Sequence, residues 1–340
     1  MISSVHFTKA HLESILARIP NVRAAVIGDV CLDAYWTADM RVSQLSRETP
    51  HHNMPIIEER YSLGGAGNVM QNMRALSANV LPVTALGRDW RGGIVQGLMQ
   101  DIGLSMDCTA IMDQRVTPCY VKPYRAGYGD VRYEDPRIDF ENRAPLTPAQ
   151  EDLTISFVQR AAEAADVIAV SDQLSCGIIT PRVRKTILSI AASGKIVIVD
   201  SRDRILEYPG CIIKPNELES ARAVHLQPES VTAEAYLPVA QALSAQTGKS
   251  VIITMGGGGA LCFCDGQAVH APAQRVNPPI DIVGAGDTFL SACALAMGAG
   301  ASLFDAVAFG NLASAVTIQK IGTTGAASPD EIRNQFGGNA

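Results

Sequence analysis

Along most of the chain, short apolar runs that stop at turn residues alternate with longer segments of helical period, and this alternation limits the possible folds most. Ala24–Ile27, Val80–Ala85, Val167–Val170, Ile196–Val199 and Val251–Thr254 read as buried strands. Ala66–Ala78, Pro148–Ala165, Pro181–Ala192 and Ala285–Met297 read as helices. The pattern implies an α/β fold with a mainly parallel sheet covered by helices on both faces. In such sheets ligands bind at the carboxyl ends of the strands. A length of 340 residues with 47% apolar and 18% charged side chains supplies a large core, so one domain over residues 1–340 is expected.

Two stretches break the rhythm. Residues 34–63 and 108–137 are richer in charge, Tyr and β-branched residues and lack helical period. Unstructured loops of that length are uncommon in compact domains, so both are expected to form strands outside the main sheet, a small β lid over the site. The net charge of −6 argues against broad binding to nucleic acid. The eight cysteines show no CxxC spacing and sit mostly in apolar runs, which points to reduced thiols and a cytoplasmic location. No apolar stretch reaches membrane-spanning length, so no membrane partner is expected.

Several glycine patterns fail as motifs. Gly248-Lys249-Ser250 resembles the end of a P-loop, but the position that must be glycine is Leu243. Neither Gly65-Ala66-Gly67 nor Gly256–Gly259 completes GxGxxG, because Met70 and Leu261 occupy the sixth positions. No dinucleotide site is supported.

The run Asp281 to Asp287, followed at once by an apolar helical segment, is different. Gly284 and Gly286 allow a tight turn whose amides, with the helix N-terminus, converge on a spot suited to an anion. A phosphoryl group in transfer fits there, with Asp287 placed to accept the proton of an attacking hydroxyl. Taken alone, Asp287 also reads as a helix N-cap. Other runs add to the first reading: Gly64-Gly65-Ala66-Gly67-Asn68 opens a helix where backbone can approach a polyhydroxylated ligand, and Asp33 follows the first strand where it can accept two sugar hydroxyls. Asn216 and Glu219 begin a helix, as caps or as part of a metal–phosphate network, and Thr254 to Gly259 offers exposed amides at a strand end.

In this order the motifs resemble the ribokinase-like, PfkB-type carbohydrate kinases from about Val26 to Gly325. The resemblance implies an ATP- and Mg²⁺-dependent transfer of a γ-phosphoryl to a sugar hydroxyl. It implies Asp287 as base, the amides of Gly284, Ala285 and Gly286 as anion hole, and Asp33, Gly64, Gly65 and Asn68 at the sugar. Asn216, Thr254, Gly256, Gly259 and Asn311 match nucleotide contacts, and Glu219 acts indirectly on Mg²⁺. Asp281, Val283 and Gly322 match the region where many relatives hold a monovalent cation such as K⁺.

Within that family the first strand and lid are similar to heptose 7-phosphate kinases, through Gly28-Asp29-Val30, Leu32-Asp33, Tyr35-Trp36, Ser46–Pro50 and Ile57–Arg60. The nucleotidyltransferase domain fused to some of them is not expected in this chain. The lysine-bearing stretches usual after the middle strands read instead as Ser171–Gly177 and Asp200-Ser201-Arg202, and Ile282 replaces a common threonine. A kinase for ribose, fructose or a nucleoside, or a non-catalytic sugar- or nucleotide-binding regulator, remain alternatives. From Arg115 to Arg137 five basic residues, Arg115, Lys122, Arg125, Arg132 and Arg137, face three acidic ones, which points to a phosphorylated acceptor. Exposed lid strands offer an edge for pairing, so a homodimer through the lid is expected.

Overall fold

The structure, a computed structural model, describes residues 2–129, 131–322 and 324–337. In chain order the strands are β1 Ile2–Ser4, β2 Arg23–Gly28, β3 Val30–Asp39, β4 Ile56–Gly65, β5 Asn79–Gly87, β6 Thr109–Met112, β7 Cys119–Tyr128, β8 Val131–Glu134 and β9 Ile138–Phe140. They continue as β10 Val167–Asp172, β11 Ile196–Ser201, β12 Ile212–Ile213, β13 Val251–Thr254, β14 Ala260–Cys264 and β15 Gln267–Ala271. The helices are α1 Lys9–Arg18, α2 Ala66–Ala75, α3 Trp90–Asp101, α4 Pro148–Ala164 and α5 Pro181–Ala192. The rest are α6 Glu217–Ala223, α7 Ala233–Thr247, α8 Ala285–Gly298, α9 Leu303–Thr317 and α10 Pro329–Gly337.

The main sheet runs β1-β15-β14-β13-β12-β11-β10-β2-β5-β6. From β13 to β6 every neighbouring pair is parallel, so the carboxyl ends of these strands lie along one edge. Both faces are covered. Ala24, Val26, Ala169 and Ile198 pack toward α2, α8 and α9, while Ala25, Ile27, Ile168, Val170 and Val199 pack toward α4, α5 and α7. Burial on both faces explains why these strands read as unbroken apolar runs instead of alternating ones. The helix starts follow their caps: Thr147 and Gln150 form a reciprocal capping box ahead of α4, and the Thr180 hydroxyl accepts from the Val183 amide ahead of α5. Gly248, the false P-loop glycine, is the left-handed residue that closes α7 before β13.

Two readings are corrected. The helix expected over Ala66–Ala78 ends at Ala75, because Ser77 takes a left-handed turn (φ 67°) that redirects the chain into β5. Within the stretch 108–137, Thr109–Met112 pairs in parallel with β5 and so belongs to the main sheet. The second sheet instead draws on β3, β4, β7, β8 and β9, in the order β4-β3-β7-β8 with β9 also on β7. It therefore begins earlier than residue 34 and extends to Phe140.

The roots of this small sheet meet at Asp29, between β2 and β3. Its carbonyl accepts from the Ala66 amide at 3.0 Å, and its carboxylate accepts from the Ile178 amide at 3.0 and 3.1 Å. Arg115, buried in the connection to β7, lies 3.8 Å from that carboxylate and donates to the Cys176 carbonyl at 2.8 Å. Burial pushes Asp29 up to about 6, against the pull of Arg115. All eight cysteines are free. Among the described residues no helix is long and apolar enough to cross a membrane.

Candidate functional site

Helix α8 is buried almost all round, from Thr288 to Ala296, and only its first turn reaches the open end of the sheet. Gly284 precedes it at φ 80°, where a side chain would be strained and would press on Thr324 Cγ2 at 3.3 Å. The chain thus enters α8 with Gly286 exposed and Asp287 half-buried in its first turn. A Cβ at Gly286 would meet only Lys214 Nζ, at 3.8 Å. The Ala285 amide donates to the Ile282 carbonyl at 3.2 Å, so of the three amides expected in the anion hole this one already has an internal acceptor.

Asp287 Oδ2 accepts from Asn68 Nδ2 at 3.1 Å. Burial pushes its carboxyl up to about 7; Asp200 and Asp33 act in the same direction, while the Asn68 hydrogen bond and Lys214 oppose them. A carboxylate that titrates near neutrality is matched to general-base work.

The sequence reading assigned no role to Lys214 or Asp200. Lys214 follows β12 and is buried, with Nζ 3.0 Å from Asp200 Oδ2 at the end of β11. Burial alone would depress the lysine, but Asp200, Glu219 and Asp287 outweigh it and raise its pKa, so it stays cationic beside the glycine turn. Its signal was visible in retrospect: a charge directly after an apolar strand, in Ile213-Lys214 and Val199-Asp200, at the edge where ligands bind.

The four residues expected at a sugar come together. Asp33 points from β3 toward Gly64, whose Cβ position lies 3.0 Å from Asp33 Oδ2. Gly65, at φ 57°, starts α2 with its Cβ position 2.6 Å from the Asp29 carbonyl, a close approach that excludes other residues. Burial raises the Asp33 pKa, against Lys122, Arg137 and Arg60. Lys122 Nζ is 3.8 Å from Asp33 Oδ1 and 3.2 Å from the Tyr35 hydroxyl. Arg60, absent from the sequence reading of the basic patch, stacks on Tyr35 at 3.9 Å and donates to the Gly322 carbonyl at 2.7 Å. Arg115 and Arg125 leave that patch: the first is buried against Asp29, and the second, one residue out of phase with Tyr124, pairs with Asp135 at 2.7 Å. Arg132 donates to Thr37 at 3.2 Å and stacks on Tyr124.

The residues expected at a nucleotide line the neighbouring strand ends. Asn216 and Glu219 form the capping box of α6, so the carboxylate of Glu219 already accepts from the Asn216 amide at 2.9 Å. Thr254 bridges to Asn216 at the end of β13. Gly256 (φ 50°) borders open space, whereas a Cβ at Gly259 (φ 82°) would collide with the Ala271 carbonyl. Asn311 Nδ2 donates to that same carbonyl at 2.8 Å and so pins the loop beside Gly259. Asp281 holds the remaining expected pair: Oδ1 accepts from the Val283 amide at 3.1 Å and Oδ2 from the Gly322 amide at 2.9 Å.

The family model described as pfkB family carbohydrate kinase matches residues 23–331. The bifunctional protein HldE of Caulobacter vibrioides is 34% identical over 321 residues, covering 92% of this chain and 64% of that protein. HldE of Geobacter metallireducens is 30% identical over 337 residues, 97% of this chain and 66% of its own length. The chain therefore spans about two thirds of the curated relatives it matches. Among solved structures, phosphofructokinase-2 from Escherichia coli in complex with potassium superposes with a TM-score of 0.73 at 19% identity, covering 93% of this chain and 98% of that one. Arabidopsis thaliana ribokinase complexed with ribose and ATP superposes with a TM-score of 0.70 at 19% identity, with the same coverage.

Proposed function

From the premise that the chain belongs to the pfkB family of carbohydrate kinases, on a ribokinase-like fold, we propose that it transfers the γ-phosphoryl of ATP to a hydroxyl of a heptose 7-phosphate. The observation that carries the reading is Asp287: a carboxylate that titrates near 7, held by Asn68 in the first turn of α8 directly after a glycine turn. In the proposed reaction Asp287 takes the proton of the attacking sugar hydroxyl. The hydroxyl oxygen bonds to the γ-phosphorus, the bond from that phosphorus to the β-bridging oxygen breaks, and ADP leaves with the electron pair. The amides of Gly284 and Gly286, the positive end of α8 and the Lys214 ammonium face the charge that develops on the phosphoryl oxygens.

Asp200, Glu219 and Asp287 all lie within electrostatic reach of Lys214. That oxygen-rich set fits a hard cation held chiefly by phosphate, with Glu219 acting indirectly because it caps α6. Mg²⁺ bound there would neutralise phosphate charge. The small sheet acts in this reading as a lid, its Asp33 face excluding water so that ATP is not hydrolysed.

A phosphorylated acceptor is supported by Lys122, Arg137 and Arg60, three cations that act on Asp33 in the sugar half of the site. The resemblance to HldE proteins, and to heptose 7-phosphate kinases in the first strand and lid, supports a seven-carbon sugar phosphate among such acceptors. A coupled ADP-release assay tests the reading, with D-glycero-D-manno-heptose 7-phosphate, fructose 6-phosphate, ribose, fructose and adenosine as acceptors. The expected result is highest kcat/KM for the heptose phosphate; preference for a neutral sugar would overturn the acceptor while leaving the kinase.

The lid also supports a homodimer. Val131, Tyr133 and Ile138 are exposed on the lid face opposite Asp33, and Ile57 is exposed at the irregularity in the β3–β4 pairing, an apolar set for a second copy of this chain to cover. Sedimentation of the wild type and of Ile57→Asp tests it: a dimer that the substitution splits is expected, and a monomeric wild type would overturn it.

A further inference from the structure

Strand β4 enters the site with a residue that the motifs did not mark. Ser62 stands directly across from Asp33 in the antiparallel β3–β4 pairing, and its neighbour Leu63 is buried in the core across from Leu32. Because strand side chains alternate between faces, Ser62, Gly64 and Arg60 share the face of Asp33 and Tyr35. The closeness of the Gly64 Cβ position to Asp33 Oδ2, 3.0 Å, and the stacking of Arg60 on Tyr35 independently fix that face as the one turned to the site.

The Ser62 Oγ is shut off from solvent, yet among the described residues it has no hydrogen-bond partner. Asn68 Oδ1, beside Asp287 on the next element, is in the same condition. A buried hydroxyl without a partner is costly, so folded proteins rarely keep one unless something else satisfies it. Here two such atoms flank Asp33 and Asp287, the two carboxylates of the sugar half of the site. A hydroxyl both donates and accepts, whereas ionised Asp33 only accepts. Together they match neighbouring hydroxyls on a polyol, one donating to Asp33 and the next exchanging a hydrogen bond with Ser62.

We infer that Ser62 is a substrate contact that hydrogen-bonds a sugar hydroxyl adjacent to the one held by Asp33, and that it helps set acceptor specificity. This rests on the sugar-kinase reading and assigns a residue within it.

The test is Ser62→Ala, followed by three measurements on the intact chain: KM and kcat with D-glycero-D-manno-heptose 7-phosphate, the Kd of ATP by calorimetry, and the Tm of the protein without ligands. Loss of one neutral hydrogen bond should raise the sugar phosphate KM by about three- to ten-fold, with kcat and the Kd of ATP nearly unchanged. Removing an unpartnered hydroxyl should leave Tm equal or higher, the opposite of what loss of a structural hydrogen bond would do. An unchanged KM would overturn the inference, as would a fall in Tm accompanied by equal weakening of both substrates. If the wild type turns over no sugar phosphate at all, the kinase reading of the acceptor fails and this inference falls with it; a wild type that turns over normally beside an unaltered variant refutes Ser62 alone.

Discussion

Asn68 Nδ2 reaches across 219 residues of sequence to donate to Asp287 Oδ2 at 3.1 Å, and thereby joins the N-termini of α2 and α8 at one carboxylate. Asn68 stays in place because the Asn72 amide donates to its backbone carbonyl, and Asn72 in turn accepts from the Thr288 hydroxyl at 3.0 Å. The two helix starts are thus locked to each other by buried side chains, of which Asn68 also reaches the Asp287 carboxylate.

Replacing Asp287 by Asn keeps the shape and removes the base. We expect kcat to fall by on the order of 10²–10⁴, with ATP affinity retained in calorimetry. Wild-type turnover in the variant would show that the base lies elsewhere.

The same carboxyl sets a pH dependence. Its folded-state pKa, about 7, lies above the ordinary 3.8, so the base is lost as pH falls through 7 and kcat/KM should drop about ten-fold per unit below it. Stability runs the other way. The proton is bound more tightly in the folded state, so the ionised group destabilises the fold progressively from about pH 4 to 7 and fully above that. Asp287→Asn should therefore raise Tm more at pH 8 than at pH 4, and equal gains at both would contradict the assignment.

Gly286→Val probes the phosphoryl position and not the fold, since a Cβ there has only Lys214 Nζ near it, at 3.8 Å. Activity should collapse by at least about 10², while circular dichroism and Tm stay close to wild type. Normal turnover by a folded variant would move the anion hole away from this turn.

Asp33→Ala should weaken sugar binding and spare nucleotide binding, because Asp33 lies on the small sheet across from Ser62, among Lys122, Arg137 and Arg60. Calorimetry that found ATP affinity lost and sugar affinity kept would reverse the two halves of the site.

Asp29 offers a prediction about stability. Its removal in Asp29→Ala leaves Arg115 buried without its carboxylate, which should cost about 3–5 kcal/mol in urea unfolding. A cost below about 1 kcal/mol would mean that the pair does not hold the root of the small sheet.

The alternation of apolar runs and helical segments was enough to define five of the parallel strands, β2, β5, β10, β11 and β13, and the helices α2, α4, α5 and α8, because hydrophobic burial acts through local periodicity that each of these segments carries by itself. The same holds for the glycine turn before α8: only glycine tolerates φ 80° there, and the requirement is written at one position. What the chain brings together from afar was decided by the tertiary structure. Lys214 becomes part of the site only because β11 and β12 pair in parallel and bring it beside Asp200, and Arg60 joins Lys122 near Asp33 only through the β3–β4 and β3–β7 registers. The same register removed Arg125 from the basic patch, since adjacent residues of a strand face opposite ways, and burial against Asp29 removed Arg115. A charge count along the sequence sees neither effect. Electrostatics depends on distance and on exclusion of water, and both were set only when distant strands packed side by side.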